Sequence, residues 1–143
     1  MATIRHNKAD VDLEIVTGDT FIVECVYTEK NSTGDDEPVY LKNIELTGQA
    51  RLQDGDEVGF PLVIDVINQD FKDPNTGLPV NRGKFNIRFT PEFTQLFGSK
   101  TRNRIYLYDV QAKDVEGNVY TFMGGKITFT PDITRKDLVI NLP

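Results

Sequence analysis

Residues 103–135 read NRIYLYDVQAKDVEGNVYTFMGGKITFTPDITR, and apolar and polar side chains alternate along three runs within this stretch. In the first run, Tyr106, Tyr108 and Val110 share one face of an extended chain and Leu107 lies on the other, since side chains two apart share a face of a strand. Both faces carry apolar groups. This run therefore predicts a central strand that is at least partly covered on both sides.

The same stretch carries a turn and an interruption. Residues 114–118, DVEGN, contain the Gly and Asn that tolerate the positive φ of a hairpin turn. The adjacent Gly124 and Gly125 interrupt the alternation, as a bulge or a short connection does. Residues 119–123 and 126–130 are therefore predicted to form two separate strands.

Alternating runs of the same kind occur through the rest of the chain. Two of them, separated by Gly18 and Asp19, predict a hairpin-like opening. In a third, the small residues Gly48 and Ala50 predict close approach of a facing element. The strands predicted before the central stretch are residues 11–17, 20–28, 46–52, 59–67 and 84–90.

One short segment carries helix signals instead of alternation. Residues 91–97 read PEFTQLF, with Thr90 in position to cap a helix, Pro91 at its first position and Gly98 to end it. The segment predicts a helix of about two turns.

The predicted connections differ in length. Residues 29–38 predict a polar loop and residues 53–57 a tight turn. Residues 68–83 form the longest irregular segment, with two prolines and two glycines. Because long loops on small β domains are often where contacts are made, a contact surface is expected there.

About seven to nine short strands with one short helix predict an all-β protein, an antiparallel immunoglobulin-like β-sandwich. A small closed barrel is the alternative. The chain is expected to divide into a flexible N-terminal arm (residues 1–10), a β-sandwich domain (11–136) and a C-terminal tail strand (137–143). The arm is either a frayed terminus or a segment that orders on a neighbouring subunit. The tail, with its apolar residues at alternate positions, pairs within the chain or with a partner.

Composition and charge exclude several classes of function. The 143 residues carry a formal net charge of -6 and a pI near 4.7, which argues against non-specific binding to nucleic acid. No apolar run approaches the roughly 20 residues needed to span a bilayer, and the N-terminus lacks the apolar core of a signal peptide. The single cysteine, Cys25, excludes an internal disulfide and is predicted to be a small buried apolar residue.

Candidate catalytic and metal-binding residues are few. The one histidine, His6, has no second histidine or cysteine near it, and no GxSxG, P-loop or GxGxxG motif occurs. Residues 73–77 (DPNTG) begin like a calcium loop but lack its closing Glu, so an ordinary turn is favoured. The acidic group Asp54, Asp56 and Glu57 is interpreted as a solvated turn. No catalytic residue, cofactor or metal site is predicted, and the chain is expected not to be an enzyme.

The aromatic residues allow one binding hypothesis. Tyr106, Tyr108 and Tyr120 offer a platform on which a sugar ring stacks, whereas burial in the core or at a subunit interface uses the large apolar area of the same side chains. The second use is favoured.

Several short motifs follow one another in an order that resembles a known family. They are Leu-Thr-Gly at 46–48 with Ala-Arg-Leu at 50–52, Gly-x-Phe-x-Ile-x-Phe ending in Thr-Pro-Glu-x-Thr at 83–94, Tyr-Asp-Val at 108–110, and Gly-Lys-Ile-Thr-Phe-Thr-Pro-Asp-Ile-Thr-Arg at 125–135. With these motifs, residues 11–135 resemble the small β-sandwich proteins of tailed-bacteriophage virions. The resemblance is to the N-terminal domain of the upper baseplate protein of lactococcal phages and to related tail, neck and baseplate components.

The resemblance implies a structural virion protein, made in the cytoplasm of a bacterial host and carried in the particle. Such a domain is a docking, adaptor or decoration module of the tail, baseplate or neck, and its partners are other virion proteins and further copies of itself. The chain differs from the pattern in ending at Pro143 without a helical linker or receptor-binding head and in its longer loop 68–83, which favours an adaptor or decoration role. The alternative is a carbohydrate- or receptor-binding β-sandwich that uses exposed aromatic residues or the same loop.

Overall fold

The structure is a computed structural model that describes residues 2–5, 8–52 and 59–132, the first four by their backbone alone. Several sequence predictions lie outside these residues. They are the tight turn at 53–57 with Asp54, Asp56 and Glu57, the lone His6, and the tail strand at 137–143.

Eleven strands and one helix form the described part of the chain. They are β1 (Ala2–Arg5), β2 (Ala9–Asp10), β3 (Leu13–Val16), β4 (Phe21–Lys30), β5 (Asp36–Pro38), β6 (Glu45–Leu52), β7 (Gly59–Pro61), β8 (Val63–Val66), β9 (Lys84–Phe89), α1 (Pro91–Phe97), β10 (Arg104–Lys113) and β11 (Val119–Thr130).

The strands form two sheets that share one core. The first sheet has the order β1-β4-β9-β8, with β5 also paired to β4, and the second has the order β2-β11-β10-β6-β7, with β3 also paired to β11. Side chains from the two sheets meet between them, as in the contacts of Tyr27 with Phe122 and of Phe89 with Phe129. The prediction of a mostly β protein with one short helix is confirmed, and antiparallel pairs outnumber parallel ones.

The predicted central strand is central. β10 pairs antiparallel with β11 on one side and with β6 on the other, over nearly its whole length on both sides. Its inward side chains Tyr106, Tyr108 and Val110 are buried, while Leu107 on the outer face is exposed. The outer face is therefore less covered than the sequence pattern predicts.

The short connection predicted at Gly124 and Gly125 is wrong, and the bulge that was the other possibility lies two residues earlier, at Phe122. Both glycines lie within the single strand β11, opposite Asp109 and Tyr108. Glycine is needed at position 125 because another backbone passes close by: a β-carbon there would overlap the carbonyl oxygen of Val11. Small size at this point admits the neighbouring chain and leaves the strand unbroken. The shift of register leaves Phe122 of β11 without a partner between Val110 and Gln111 of β10.

The predicted opening hairpin is also wrong. β3 and β4 follow one another through a turn at Gly18, which has a positive φ of 92°, but they belong to different sheets. β3 pairs parallel with β11, and β4 pairs antiparallel with β9. Alternation identified both strands correctly, because period 2 reports the buried face of a strand and not its partner.

The strand predicted at residues 59–67 is two strands. The chain passes from the second sheet to the first at Leu62, between β7 and β8. Leu62 packs on Gly48, where an added β-carbon would lie 2.8 Å from its Cδ1 atom. This contact confirms the close approach that the small residues of β6 predicted.

The polar loop predicted at residues 29–38 is mostly a hairpin. β4 continues to Lys30, and β5 pairs antiparallel with its end, so that the connection is residues 31–35. The side chains of β5 are all exposed, so apolar and polar residues do not alternate there and the sequence gives no strand signal. At the N-terminus, β1 pairs parallel with Cys25–Thr28 of β4, while the division of the chain into arm, domain and tail stays a prediction.

The helix is confirmed with its caps. The side chain of Thr90 accepts a hydrogen bond from the backbone N–H of Phe93, Pro91 occupies the first turn, and the N–H of Gly98 donates to Thr94 at the end. The apolar side of α1 enters an aromatic cluster, where the ring of Phe60 lies 4.8 Å from that of Phe93 and 4.3 Å from that of Phe97. Within the described ranges, no helix has the length and apolar character needed to cross a membrane.

Tyr106 joins α1 to the start of β10. Its ring is buried, and its hydroxyl donates a 2.8 Å hydrogen bond to the carbonyl oxygen of Phe97. We expect Tyr106→Phe to lower the free energy of unfolding by about 1–2 kcal/mol, because a partly buried carbonyl loses its partner. Leu107→Ala, on the exposed face of the same strand, is the control and should change it by less than about 0.5 kcal/mol. Equal values for the two variants in urea unfolding would contradict this role.

Candidate contact surface

Three of the residues singled out in the sequence lie in or beside the core. Tyr106 and Tyr108 are buried, and the hydroxyl of Tyr108 donates to the carbonyl oxygen of Val11. Tyr120 is partly exposed on β11. The core interpretation is therefore confirmed for Tyr106 and Tyr108, and the three rings do not form a common sugar platform.

Cys25 is a free, buried thiol, as predicted. It is 1% exposed on β4, and burial raises the pKa of its thiol from 9.0 to about 12. Burial likewise raises the pKa of the adjacent Tyr27 hydroxyl from 10.0 to about 12. Neither group ionises at neutral pH in the folded protein.

The segment resembling the start of a calcium loop forms a turn. Asp73 accepts a hydrogen bond from the backbone N–H of Asn75 through its side chain and one from Gly77 through its carbonyl oxygen. This is the Asx-type geometry in which a carboxylate closes its own turn. Among the residues that the structure describes, no group of three or more His, Cys, Asp and Glu side chains is arranged to hold a metal ion.

The long loop, residues 68–83, is folded into a small projecting hairpin. Lys72 and Pro79 form an isolated antiparallel bridge. Hydrogen bonds flank it on both sides, from the N–H of Val80 to the carbonyl oxygen of Phe71 and from the N–H of Asp73 to that of Leu78. The predicted irregular loop thus has a defined local structure.

Gln69 fixes the base of this hairpin. Its side chain is buried, and its Oε1 atom accepts from the backbone N–H groups of Leu41 and Gly83 at 3.1 and 2.9 Å. Its Nε2 atom lies within donating distance of the carbonyl oxygens of Ile67, Asn81 and Lys84, at 2.8, 2.9 and 3.2 Å. One amide therefore satisfies backbone groups at both ends of the loop and on the facing segment, which holds the hairpin on the end of the first sheet.

The hairpin exposes apolar side chains on one side. Phe71, Leu78 and Val80 are 50%, 63% and 40% exposed. Because Lys72 pairs with Pro79, the neighbouring pairs Phe71–Val80 and Asp73–Leu78 project to the same side of the two chains. We call Phe71, Leu78 and Val80 the loop face.

A polar cluster lies at the base of the hairpin. Asp70 accepts hydrogen bonds from the hydroxyl of Tyr40 at 2.6 Å and from Nζ of Lys42 at 3.2 Å. A nitrogen of the Arg82 guanidinium lies 3.8 Å from the same carboxylate, and its central carbon lies 3.9 Å from the centre of the Tyr40 ring. Arg82 also donates from Nε to the carbonyl oxygen of Gln69. We call Tyr40, Lys42, Asp70 and Arg82 the base cluster.

Hydrogen bonds within the base cluster favour an ionised Asp70 beside a protonated Tyr40 and a protonated Lys42. The hydrogen bonds from Tyr40 and then Lys42 hold the pKa of Asp70 below its ordinary value of 3.8. The hydrogen bond to Asp70 raises the pKa of Tyr40 and that of Lys42. Asp70 is therefore ionised at neutral pH, and the cluster loosens only as the pH falls below the ordinary range of an aspartate. Because these groups are exposed, each ion pair contributes little by itself.

The sequence predicts contacts on this loop but does not reveal the residues that shape it. Gln69 and Tyr40 stand in segments without alternation, and a buried glutamine has no sequence signature. Gln69 stands alone between two turns rich in aspartate and asparagine, but this position does not by itself predict a buried side chain.

Gln69 provides a test of this geometry. We expect Gln69→Glu to lower the free energy of unfolding by more than about 2 kcal/mol, because a buried carboxylate does not donate to the three carbonyl oxygens around it. Asn103→Asp makes the same amide-to-carboxylate change at an exposed position between two arginines and should have little effect. Chemical denaturation of both variants measures the difference. If they unfold alike, Gln69 does not fix the loop.

Cys25 provides a test of burial through pH. Stability should fall as the pH rises from about 9 to about 12, since the thiol then ionises in the unfolded chain but not in the folded one. In Cys25→Ala, part of this fall should disappear, leaving the part due to the tyrosines whose pKa burial also raises, Tyr27, Tyr106 and Tyr108. Urea midpoints measured across this pH range for both proteins give the comparison, and equal slopes would contradict it. A thiol reagent at pH 8 should react with the wild-type protein only when it is unfolded.

Comparison with known proteins gives no family for the chain, since no family model matches it and a search of curated proteins finds no significant match.

Proposed function

We propose that this protein is a structural component of a tailed-bacteriophage particle, a non-enzymatic docking, adaptor or decoration module that joins subunits through surface contacts. The loop face is the single observation that carries the proposal. An exposed apolar patch on a firmly held hairpin loses little conformational freedom on binding, which favours a docking surface. The motifs that resemble virion proteins supply the biological setting.

We also propose that the fold is an immunoglobulin-like sandwich. In support, the neighbours β4-β9-β8 and β11-β10-β6-β7 follow the B-E-D and G-F-C-C′ orders of that fold. The N-terminal segment runs from one sheet to the other, since β1 pairs with β4 while β2 and β3 pair with β11. A tyrosine near the start of the F strand of such domains bonds back to the backbone at the E–F corner, as Tyr106 does to Phe97.

The base cluster suits a contact with another protein. It places a cation, an aromatic ring and a carboxylate side by side at the foot of the loop face. Such a mixed rim around apolar residues is typical of interfaces between proteins, where the rim fixes register and the apolar centre supplies most of the binding free energy. The partners we propose are other virion proteins and further copies of this chain.

The first experiment is the mass of the purified protein by light scattering from low to high concentration. We expect a defined oligomer whose mass is a small multiple of 16.2 kDa. In the double variant Phe71→Ser with Leu78→Ser, the interface loses apolar surface. The protein concentration below which the oligomer dissociates should therefore rise by about tenfold or more. Val115→Ser removes an exposed apolar side chain from the β10–β11 hairpin and is the control. An oligomer unaffected by the loop variants would contradict docking through the loop face.

A carbohydrate- or receptor-binding module remains the second candidate. One observation favours it. The exposed ring of Phe71 lies on the same loop as the carboxylate of Asp70, which accepts a hydrogen bond from the hydroxyl of Tyr40, and aromatic stacking beside hydrogen-bonding groups is how sugars are held. A glycan array probed with the protein separates the two functions. Specific binding by a monomer, abolished in Phe71→Ser, would favour this candidate over the structural one.

A further inference from the structure

The loop face lies between charges of opposite sign. At the foot of the hairpin, Lys42 and Arg82 stand beside Asp70, so that two cations are balanced by one carboxylate. Toward the tip, Asp73 pairs with Leu78 and projects to the side of the loop face. The hairpin is therefore positive at its foot and negative toward its tip.

The apolar side chains have a fixed order between these two ends. Phe71 and Val80 stand opposite each other next to the foot, and Leu78 stands next to the tip. Lys72 is paired with Pro79 and points to the opposite side of the hairpin, so its charge lies away from the loop face. From foot to tip, this side presents cations, apolar side chains and a carboxylate.

A surface with this order is complementary to itself. When two such hairpins lie face to face in opposite directions, the foot of each meets the tip of the other. Phe71 of one copy then packs on Leu78 of the second copy, and Asp73 approaches Lys42 and Arg82 of the second copy. Packing in the same direction would place like charges together at both ends. A two-fold axis generates the opposite arrangement, and every contact then occurs twice.

The overall charge of the chain makes this matching of ends necessary. Two copies that each carry a formal net charge of -6 repel one another. Apolar contact alone has to overcome that repulsion, whereas opposite charges at both ends of the loop face reduce it locally. Charges at the rim of a contact also select one orientation, since the wrong one brings like charges together.

The contact is small. Three apolar side chains on each copy fall short of the roughly 800 Å² per partner that a stable interface of standard size buries. We therefore expect a dimer that forms at high protein concentration and dissociates on dilution. Where many copies are held in one assembly, weak contacts of this kind act together and hold firmly.

We propose that the loop faces of two copies of this chain pack on each other about a two-fold axis in antiparallel orientation, with Asp73 of each copy beside Lys42 and Arg82 of the other. This inference rests on the proposed use of the loop face as a docking surface, and it names the partner and the geometry of the contact. It also gives the base cluster a purpose, because its excess of positive charge sets the direction of packing.

NMR of a mixed sample tests the orientation. Isotope-labelled copies are mixed with unlabelled copies at high protein concentration, and nuclear Overhauser effects are recorded only between the two kinds of copy. We expect contacts from the ring of Phe71 in one copy to the methyl groups of Leu78 in the other. Contacts from Phe71 to Phe71 and from Leu78 to Leu78 would show packing in the same direction and overturn the proposal.

Charge variants test the contacts at the two ends by sedimentation equilibrium. Lys42→Glu keeps the loop face and should raise the concentration below which the dimer dissociates by about tenfold, because the symmetry makes each lost attraction count twice. Lys100→Glu changes the net charge equally, but it lies between α1 and β10, at the opposite end of the sandwich, and should have little effect. Asp73→Asn keeps an oxygen that accepts from the N–H of Asn75 and should weaken the dimer less than Lys42→Glu does. The amide spectrum of each variant reports that it is folded.

The outcomes separate this inference from the proposed function. A chain that stays monomeric at high concentration would overturn the inference and leave docking on a different virion protein as the proposed function. A dimer that Phe71→Ser with Leu78→Ser dissociates, but that Lys42→Glu and Lys100→Glu weaken equally, would retain the loop face and overturn the antiparallel contact. A dimer that none of these variants weakens would contradict both.

Discussion

The pairing of β10 with strands on both sides is the constraint on which the rest of the structure depends. β10 bonds to β11 and β6 over nearly its full length, so its inward face is fixed against the opposite sheet. Tyr106 then brings α1 onto the core through Phe97, and the ring of Tyr106 packs at 4.9 Å on that of Phe60, which comes from the edge strand β7. Elements far apart in the sequence are thus held by one strand, as expected where non-local pairing dominates a fold.

Most strands could be predicted from the sequence, but their partners could not. Both results have the same cause, which is what alternation of apolar and polar residues reports. Alternation reveals which face of a strand is buried, so the inward residues of β4, β6, β9 and β10 were predicted correctly. For β4 and β9 it predicted the strands and not their neighbours, so β3 and β4 were wrongly paired. Gly124 and Gly125 show a second limit, since a glycine required by the passing backbone of Val11 has the same sequence signature as one that breaks a strand.

The sequence marked the long loop as a place for contacts, which stays a prediction, but it did not reveal the shape of the loop. Length and the content of proline and glycine marked residues 68–83 as a loop that makes contacts, and the structure gives that loop a defined shape. The shape depends on Gln69, whose hydrogen bonds join Gly83, Leu41 and the carbonyl oxygens beside them. Because these partners come together only in the folded chain, no local pattern reveals them. A loop held at its base in this way presents Phe71 and Leu78 without the cost of ordering them on binding.

Three of the sheet edges explain why contacts are better made by the loop than by strand addition. β7 is three residues long and contains Pro61, which has no N–H to donate. β5 is also three residues long and ends at Pro38, and β8 has four residues with Asp65 bound to Arg88 at 2.8 Å on its outer face. Short length, proline and charge are the features that keep an edge from pairing with another protein. With these edges unsuited to pairing, the loop face offers an apolar surface for a partner, as do the exposed side chains of Ile22 and Val63 on the first sheet.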